Sequence, residues 1–240
     1  MRTILAITGA DREVFLQGLI TNDMRHLTQG PIYAALLTAQ GKYLADFILI
    51  ADGDRILLDV DTGLAPMLAQ RLGMYRLRAD VAITVTDLGV QTGTGPAPDG
   101  AAIDPRHPAL GWRLYGTANG SDGTDFDAIR VAHCIGQTGV ELTPETYILE
   151  AGFERLHGVD FRKGCYVGQE VTARMKHKTE LRKGLVTVSI SEPVPVGTPI
   201  TVNGREIGTI YTQSGGKGIA HLRLDRTDGE MKAAQSTVRM

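Results

Sequence analysis

Cysteine is scarce: Cys134 and Cys165 are the only two in 240 residues. Two thiols cannot build a disulfide framework or a cysteine-rich zinc site, so they are expected to stay free in a reducing compartment. Long apolar runs are missing as well. No stretch approaches the ~18 uninterrupted apolar residues of a membrane span, and the opening "MRTILAITGADREVF" reaches acidic residues without a long apolar segment. Neither a membrane partner nor a secretory signal is expected, and the cytoplasm is the expected location. Net charge is only −2, which removes bulk electrostatics as an argument for nucleic-acid binding. Phosphate-cradling fingerprints are absent too. "GVQTGTGPAPDG", residues 89–100, has neither the lysine of a P-loop nor the glycine spacing of a dinucleotide turn, and it reads as a flexible connection.

The charge that is present lies unevenly. Residues 162–183 hold Arg162, Lys163, Arg174, Lys176, Lys178, Arg182 and Lys183 against Glu170 and Glu180, which is +5 locally in a chain that is −7 elsewhere. Such a run is a solvated face or a surface for an anionic partner, and a weak nucleic-acid contact through 174–183 is one reading of it. No aromatic residues are interleaved with the basic ones to stack bases, which weakens that reading.

Periodicity divides the chain. "RTILAIT" predicts a first strand, and "DREVFLQGL" a short helix with Asp11 as N-cap. Residues 31–60 alternate strand-like runs with turns at "AQGK" and "DGD", the pattern of an antiparallel meander. Leu64, Met67, Leu68, Leu72 and Tyr75 then follow helical spacing, with Asp61 or Thr62 available as cap. "ADVAITVTD" predicts a further strand and "FDAIRVAHCIGQTG" a further helix. After Lys183 the chain becomes short β-rich runs between Gly, Pro and Asn-Gly turns, which predicts a small barrel or sandwich, with Asn203-Gly204 in a hairpin turn. The tail after Asp225 reads as polar and frayed. Strands and helices without regular alternation predict an α+β fold.

"RKGCYVGQE", residues 162–170, concentrates the unusual chemistry. Thiolate is the reactive form of cysteine, and nearby cations and helix-start N–H groups favour it. Lys163 and Arg162 precede Cys165, and "QEVTARM" can begin a helix just beyond. The plain alternative is a small buried hydrophobe in a turn. None of the six histidines has a context that marks it as the base of a cysteine hydrolase.

The stretch "KGCYVGQEVTARM" resembles the K-G-C-[YF]-x-G-Q-E signature of the YgfZ-type folate-binding proteins, relatives of the T-protein (aminomethyltransferase) of the glycine cleavage system. "FLQGLITNDM", "LLTAQGKYLADFILI", "LLDVDTGLAPMLAQRLGMYRLRADVAI" and "GREIGTI…GIAHLRLD" extend the resemblance over most of the chain, with residues 90–125 the least similar. It implies a T-protein-like α+β folate-binding body over residues 1–180 and a small C-terminal β-barrel over 181–240. It also implies a reduced folate, tetrahydrofolate or a relative, as cofactor. Cys165 carries over as the functional thiol, and Lys163, Gly164, Tyr166, Gly168, Gln169 and Glu170 as the rest of the motif; Arg174, just beyond, joins the expected cofactor-binding set. Asp46 in "GKYLADF" stands where relatives use an acid-base aspartate near the folate, although a solvent-facing strand acid is the plain alternative. In relatives an acid within a segment resembling "LRIEAG" contacts the pteridine, and "IRVAHC" puts Ala132 there.

The resemblance implies an accessory factor in iron–sulfur cluster assembly or repair for client enzymes, tRNA-modifying enzymes among them. The competing reading is a tetrahydrofolate-dependent aminomethyl or one-carbon transferase using Asp46. One protein thiolate is not a cluster site, since clusters take about four ligands.

Overall fold

The computed structural model describes residues 1–177 and 181–240. Lys178 and Glu180 of the basic run, and the expected division at 180/181, fall on or beside the residues outside that description. The chain separates into two compact units, Met1–Thr124 with Glu154–Val171, and Asp125–Phe153 with Thr172–Met240.

The first unit begins with β1 (Arg2–Thr8) and a short α1 (Arg12–Gln17). Asp11 precedes α1 but does not cap it with its side chain, because its carboxylate accepts from the Asp80 amide instead. The meander is β2 (Ile32–Leu37), β3 (Tyr43–Asp52) and β4 (Arg55–Asp61), followed by α2 (Ala65–Arg76) and β5 (Ala82–Val85). The N-cap of α2 is Leu64 rather than Asp61 or Thr62, since the Asp61 carboxylate is used in the preceding turn on the Gly63 amide. The strands form one antiparallel sheet in the order β2-β3-β4-β1-β5.

Alternation gives this sheet two different faces. Leu5, Ile7, Leu36, Phe47, Leu49 and Leu58 point to one side and pack against Leu16, Leu68 and Leu72 from the helices and Ile20 just after α1. Burying a Leu or Phe of this kind contributes roughly 1.5–3 kcal/mol. The opposite face carries Tyr33, Asp46 and Asp59 among Ile4, Ala6 and Leu57, and all six are buried.

The segment read as a flexible connection is instead ordered. It contributes β6 (Gly89–Gly93), which joins β7 (Ala102–Ile103), β8 (Trp112–Gly116) and β9 (Gly120–Ser121) in a second sheet of order β7-β8-β6-β9. Side chains supply the missing regularity: Asn119 Oδ1 accepts from the Val90 amide, and Asp122 Oδ2 from the amides of Thr94 and Gly95. Its glycines permit close backbone approach, since a Cβ on Gly111 would meet the Gly93 carbonyl at 2.1 Å.

The second unit holds α3 (Phe126–His133), capped by Asp125, and the later turns of α4 (Gln169–His177). Its core is a closed six-stranded barrel of β10 (Lys183–Ile190), β11 (Thr198–Val202), β12 (Arg205–Ser214), β13 (Lys217–Arg223), β14 (Met231–Ala233) and β15 (Ser236–Arg239). Asn203 and Gly204 both have positive φ between β11 and β12, as a tight hairpin turn demands. The tail is not frayed. Met231, Ala233 and Val238 enter the barrel core, and β15 pairs with β10 to close it.

Candidate functional site

The signature loop leads into α4 and is pinned from below. Lys163 is only 5% exposed, and its Nζ donates to the carbonyl of Gln17 at 2.7 Å and to that of Ile20, at the exit of α1. The same ammonium lies 4.9 Å from the centroid of the buried Tyr166 ring, a cation–π contact. Burial pushes the Lys163 ammonium down to about 8, against the opposing pull of Asp23 and Asp160. At the far end Gly168 takes φ +83 and lies against the β2–β3 turn, where a Cβ would meet the Thr38 carbonyl at 2.5 Å. Between these anchors Gly164 and Cys165 are exposed.

This arrangement changes the electrostatic expectation for the thiol. The two cations expected to favour thiolate are turned elsewhere, Lys163 to backbone carbonyls and Arg162 toward Asp160 at 3.9 Å. Cys165 is not the buried hydrophobe of the plain alternative. Beyond it, Gln169 is half-buried, Glu170 is exposed, and Arg174, also exposed, lies on the part of α4 that belongs to the second unit.

Asp46 lies elsewhere in the first unit, buried on the polar face of the sheet. The Tyr43 hydroxyl donates to Oδ1 at 2.6 Å and the Tyr33 hydroxyl to Oδ2 at 2.9 Å. It is therefore no solvent-facing strand acid. Tyr33 also borders a cleft of about 540 Å³, lined in addition by Asn22, His26, Pro105, Asp160 and Phe161. Asn22 ties the cleft wall together by donating to the carbonyls of Tyr33 and His157. His26 Nε2 lies 2.9 Å from Asp160. Burial raises the Asp160 carboxyl, but the His26 and Arg162 contacts outweigh it and leave the group below the usual carboxylate range.

Ala132 sits on the exposed side of α3. A residue passed over in the sequence is Glu150. The string Glu150-Ala151-Gly152 repeats the E-A-G of the segment compared with residues 129–134, and the Glu150 carboxylate lies 3.2 Å from His221 Nε2 within the second unit.

Comparison with known proteins finds similarity to solved structures over nearly the whole chain. The glycine cleavage system aminomethyltransferase T from Bartonella henselae superposes with a TM-score of 0.77, covering 99% of this chain and 81% of that one at 14% identity. The fold is that of the aminomethyltransferase. Residues 182–240 match the family described as CAF17, C-terminal beta-barrel domain. The chain is 29% identical to the protein named iron-sulfur cluster assembly factor IBA57 homolog, mitochondrial, of Mycosarcoma maydis, over 99% of this chain and 67% of the relative. It is also 29% identical to the Homo sapiens protein named iron-sulfur cluster assembly factor IBA57, mitochondrial, over 96% of this chain and 78% of the relative. These names overturn the cytoplasmic expectation, because the relatives are mitochondrial. Scarce cysteine signals a reducing environment, and that property does not single out the cytosol. Among the described residues no helix is long and apolar enough to cross a membrane.

Proposed function

We propose that this chain is a folate-binding accessory factor for the assembly or repair of iron–sulfur clusters in client enzymes, tRNA-modifying enzymes among them. The observation that carries the reading is Cys165, exposed in a loop whose neighbours Lys163, Tyr166 and Gly168 are each anchored, in a chain similar almost end to end to proteins named as iron–sulfur cluster assembly factors. A loop built this way presents a thiol to a partner rather than enclosing it. The cluster is the cargo and the client enzyme the partner.

A reduced folate fits the first unit. The cleft of about 540 Å³ has the size of a small-molecule site, with apolar walls at Phe161 and Pro105 and polar groups at Asn22 and Asp160. Tyr33 connects its wall to Asp46, the acid on which the folate reading rests. Nucleic-acid contact through 174–183 has no support beyond the exposed Arg174, Lys176 and His177.

The buried Asp46, held by two hydroxyls, favours one second reading, a tetrahydrofolate-dependent one-carbon transferase with Asp46 as the acid-base group. Calorimetry with reduced folates separates the cases when wild type is run beside Asp46→Asn and Cys165→Ala. Saturable binding lost in Asp46→Asn but kept in Cys165→Ala supports a folate pocket separate from the thiol; no binding at all removes the folate. Turnover of a methylamine or aminomethyl donor with added tetrahydrofolate would favour the transferase. Normal client-enzyme activity in cells carrying only Cys165→Ala removes the role of the thiol.

A further inference from the structure

We infer that Lys163 is a positioning residue, a charged strap whose buried ammonium ties the signature loop to the exit of α1 and thereby fixes how Cys165 is displayed. The inference rests on the reading of Cys165 as the working thiol, but it makes its own structural claim. Within the motif, Lys163 and Tyr166 are buried while Gly164 and Cys165 are exposed, so the chain alternates between an anchored side and a presented one. The Lys163 ammonium meets two carbonyls, Gln17 at the last residue of the short α1 and Ile20 just beyond it, and it meets the Tyr166 ring. All three contacts weaken if the charge is lost, since charge-assisted hydrogen bonds are about twice as strong as neutral ones and a cation–π contact needs the cation. A lysine spent in this way is not available to hold a ligand.

The surroundings set how the anchoring depends on pH. Asp23 and Asp160 face the ammonium; Asp23 is held to about 2, chiefly by its hydrogen bond to Arg25, and Asp160 is also held below the usual range. Arg25 pairs with Asp23, and His26 with Asp160. Burial brings Lys163 to about 8 from the ordinary 10.5, so the cost of burying the charge outweighs its contacts, a lifted and solvated loop holds the proton more tightly than the anchored one, and rising pH favours the anchored loop while both carboxylates stay ionised.

The test is hydrogen exchange of the segment 158–170 from pH 7 to 9.5, normalised to the chemical exchange rate, with barrel strands β10 and β13 as internal reference. In the wild type, normalised exchange of the segment is expected to fall roughly tenfold across the window while the barrel stays flat. Lys163→Met is expected to exchange fast at every pH, with no inflection. Repeating the titration in His26→Gln and in Cys165→Ala removes the imidazole and the thiol as sources of the inflection, which should persist in both. A flat or rising wild-type profile, or Lys163→Met exchanging like wild type, overturns the strap. The wild-type profile decides by itself if Lys163→Met does not fold. Client-enzyme activity in Cys165→Ala cells tests the thiol independently, so a confirmed strap with an idle thiol would refute only the functional reading.

Discussion

Tyr43 and Asp46 meet because a bulge separates them. In a regular strand, residues three apart point to opposite faces. Here Leu36 pairs with Ala45 and Leu37 with Tyr43, which leaves Leu44 without a partner. The extra residue turns Tyr43 to the side of Asp46, and the two groups meet at 2.6 Å. Tyr43→Phe should therefore cost about 1.5–3 kcal/mol in urea unfolding, the worth of a hydrogen bond to a charged group. Made in an Asp46→Asn background, the same change should cost much less. Strict additivity of the two substitutions would show that the hydroxyl does not hold the carboxylate.

That bulge also marks where the sequence stops being legible. The meander, α2 and the Asn203-Gly204 hairpin follow from periodicity and turn chemistry, and the structure has all three. Asp46 reads as either a site acid or a surface acid, because alternation puts it on the face opposite Phe47 and Leu49 without revealing that this face is buried too, and the one-residue bulge that turns Tyr43 toward it leaves no compositional trace. Lys163 reads in the sequence as a cation beside a thiol, because sequence proximity does not reveal that its stem turns inward to carbonyls 143 and 146 positions away. Strands β14 and β15, of three and four residues, are too short for alternation to register. Residues 89–100 look like a linker since their order comes from Asn119 and Asp122, which lie beyond them.

Gly168 and Gly164 belong to one motif but should respond differently to a methyl group. At Gly168 an alanine would have to hold φ +83 with its Cβ 2.5 Å from the Thr38 carbonyl and 3.0 Å from Leu37 Cβ. Strain and overpacking together should cost about 3 kcal/mol. At Gly164 nothing lies within 4 Å of the added Cβ, and the change should stay within about 0.5 kcal/mol. Equal costs for the two alanines in denaturant unfolding would contradict this account of how the loop is anchored.

Acid should weaken the first unit through Asp104 and Asp59. Asp104 accepts from Arg106 at 2.7 Å and from Arg113 at 3.2 Å, and Arg113 also reaches Asp59. Burial raises both carboxyls, but the guanidinium groups outweigh it; Asp104 falls to about 2 and Asp59 lies below its ordinary value. Because the folded pKa is the lower one, the stabilisation is complete above the unfolded value of 3.8 and is lost as pH falls toward 2. For Asp104 it amounts to about 2 kcal/mol. Unfolding free energies measured from pH 5 to pH 2 should decline less steeply in Asp104→Asn than in wild type. A parallel decline would assign the acid sensitivity to other carboxylates.

Glu141 tests the second unit by a change of a single atom. Its carboxylate is 4% exposed and both oxygens are engaged, Oε2 by the Gln137 amide at 2.9 Å and Oε1 by the Thr212 amide and hydroxyl at 3.1 and 2.6 Å. All three neighbours are donors, so the site suits a group that only accepts. Glu141→Gln is nearly the same shape but must direct an NH₂ at one of those donors. One buried N–H is then left without an acceptor, which costs about 1–3 kcal/mol in addition to the weaker neutral bonds that remain. Thr212→Val removes only the hydroxyl and should cost less, and the two changes combined should fall short of their sum because they share a partner. A thermal shift for Glu141→Gln no larger than that of Thr212→Val would mean that the loop at 137–142 is held to β12 by packing alone.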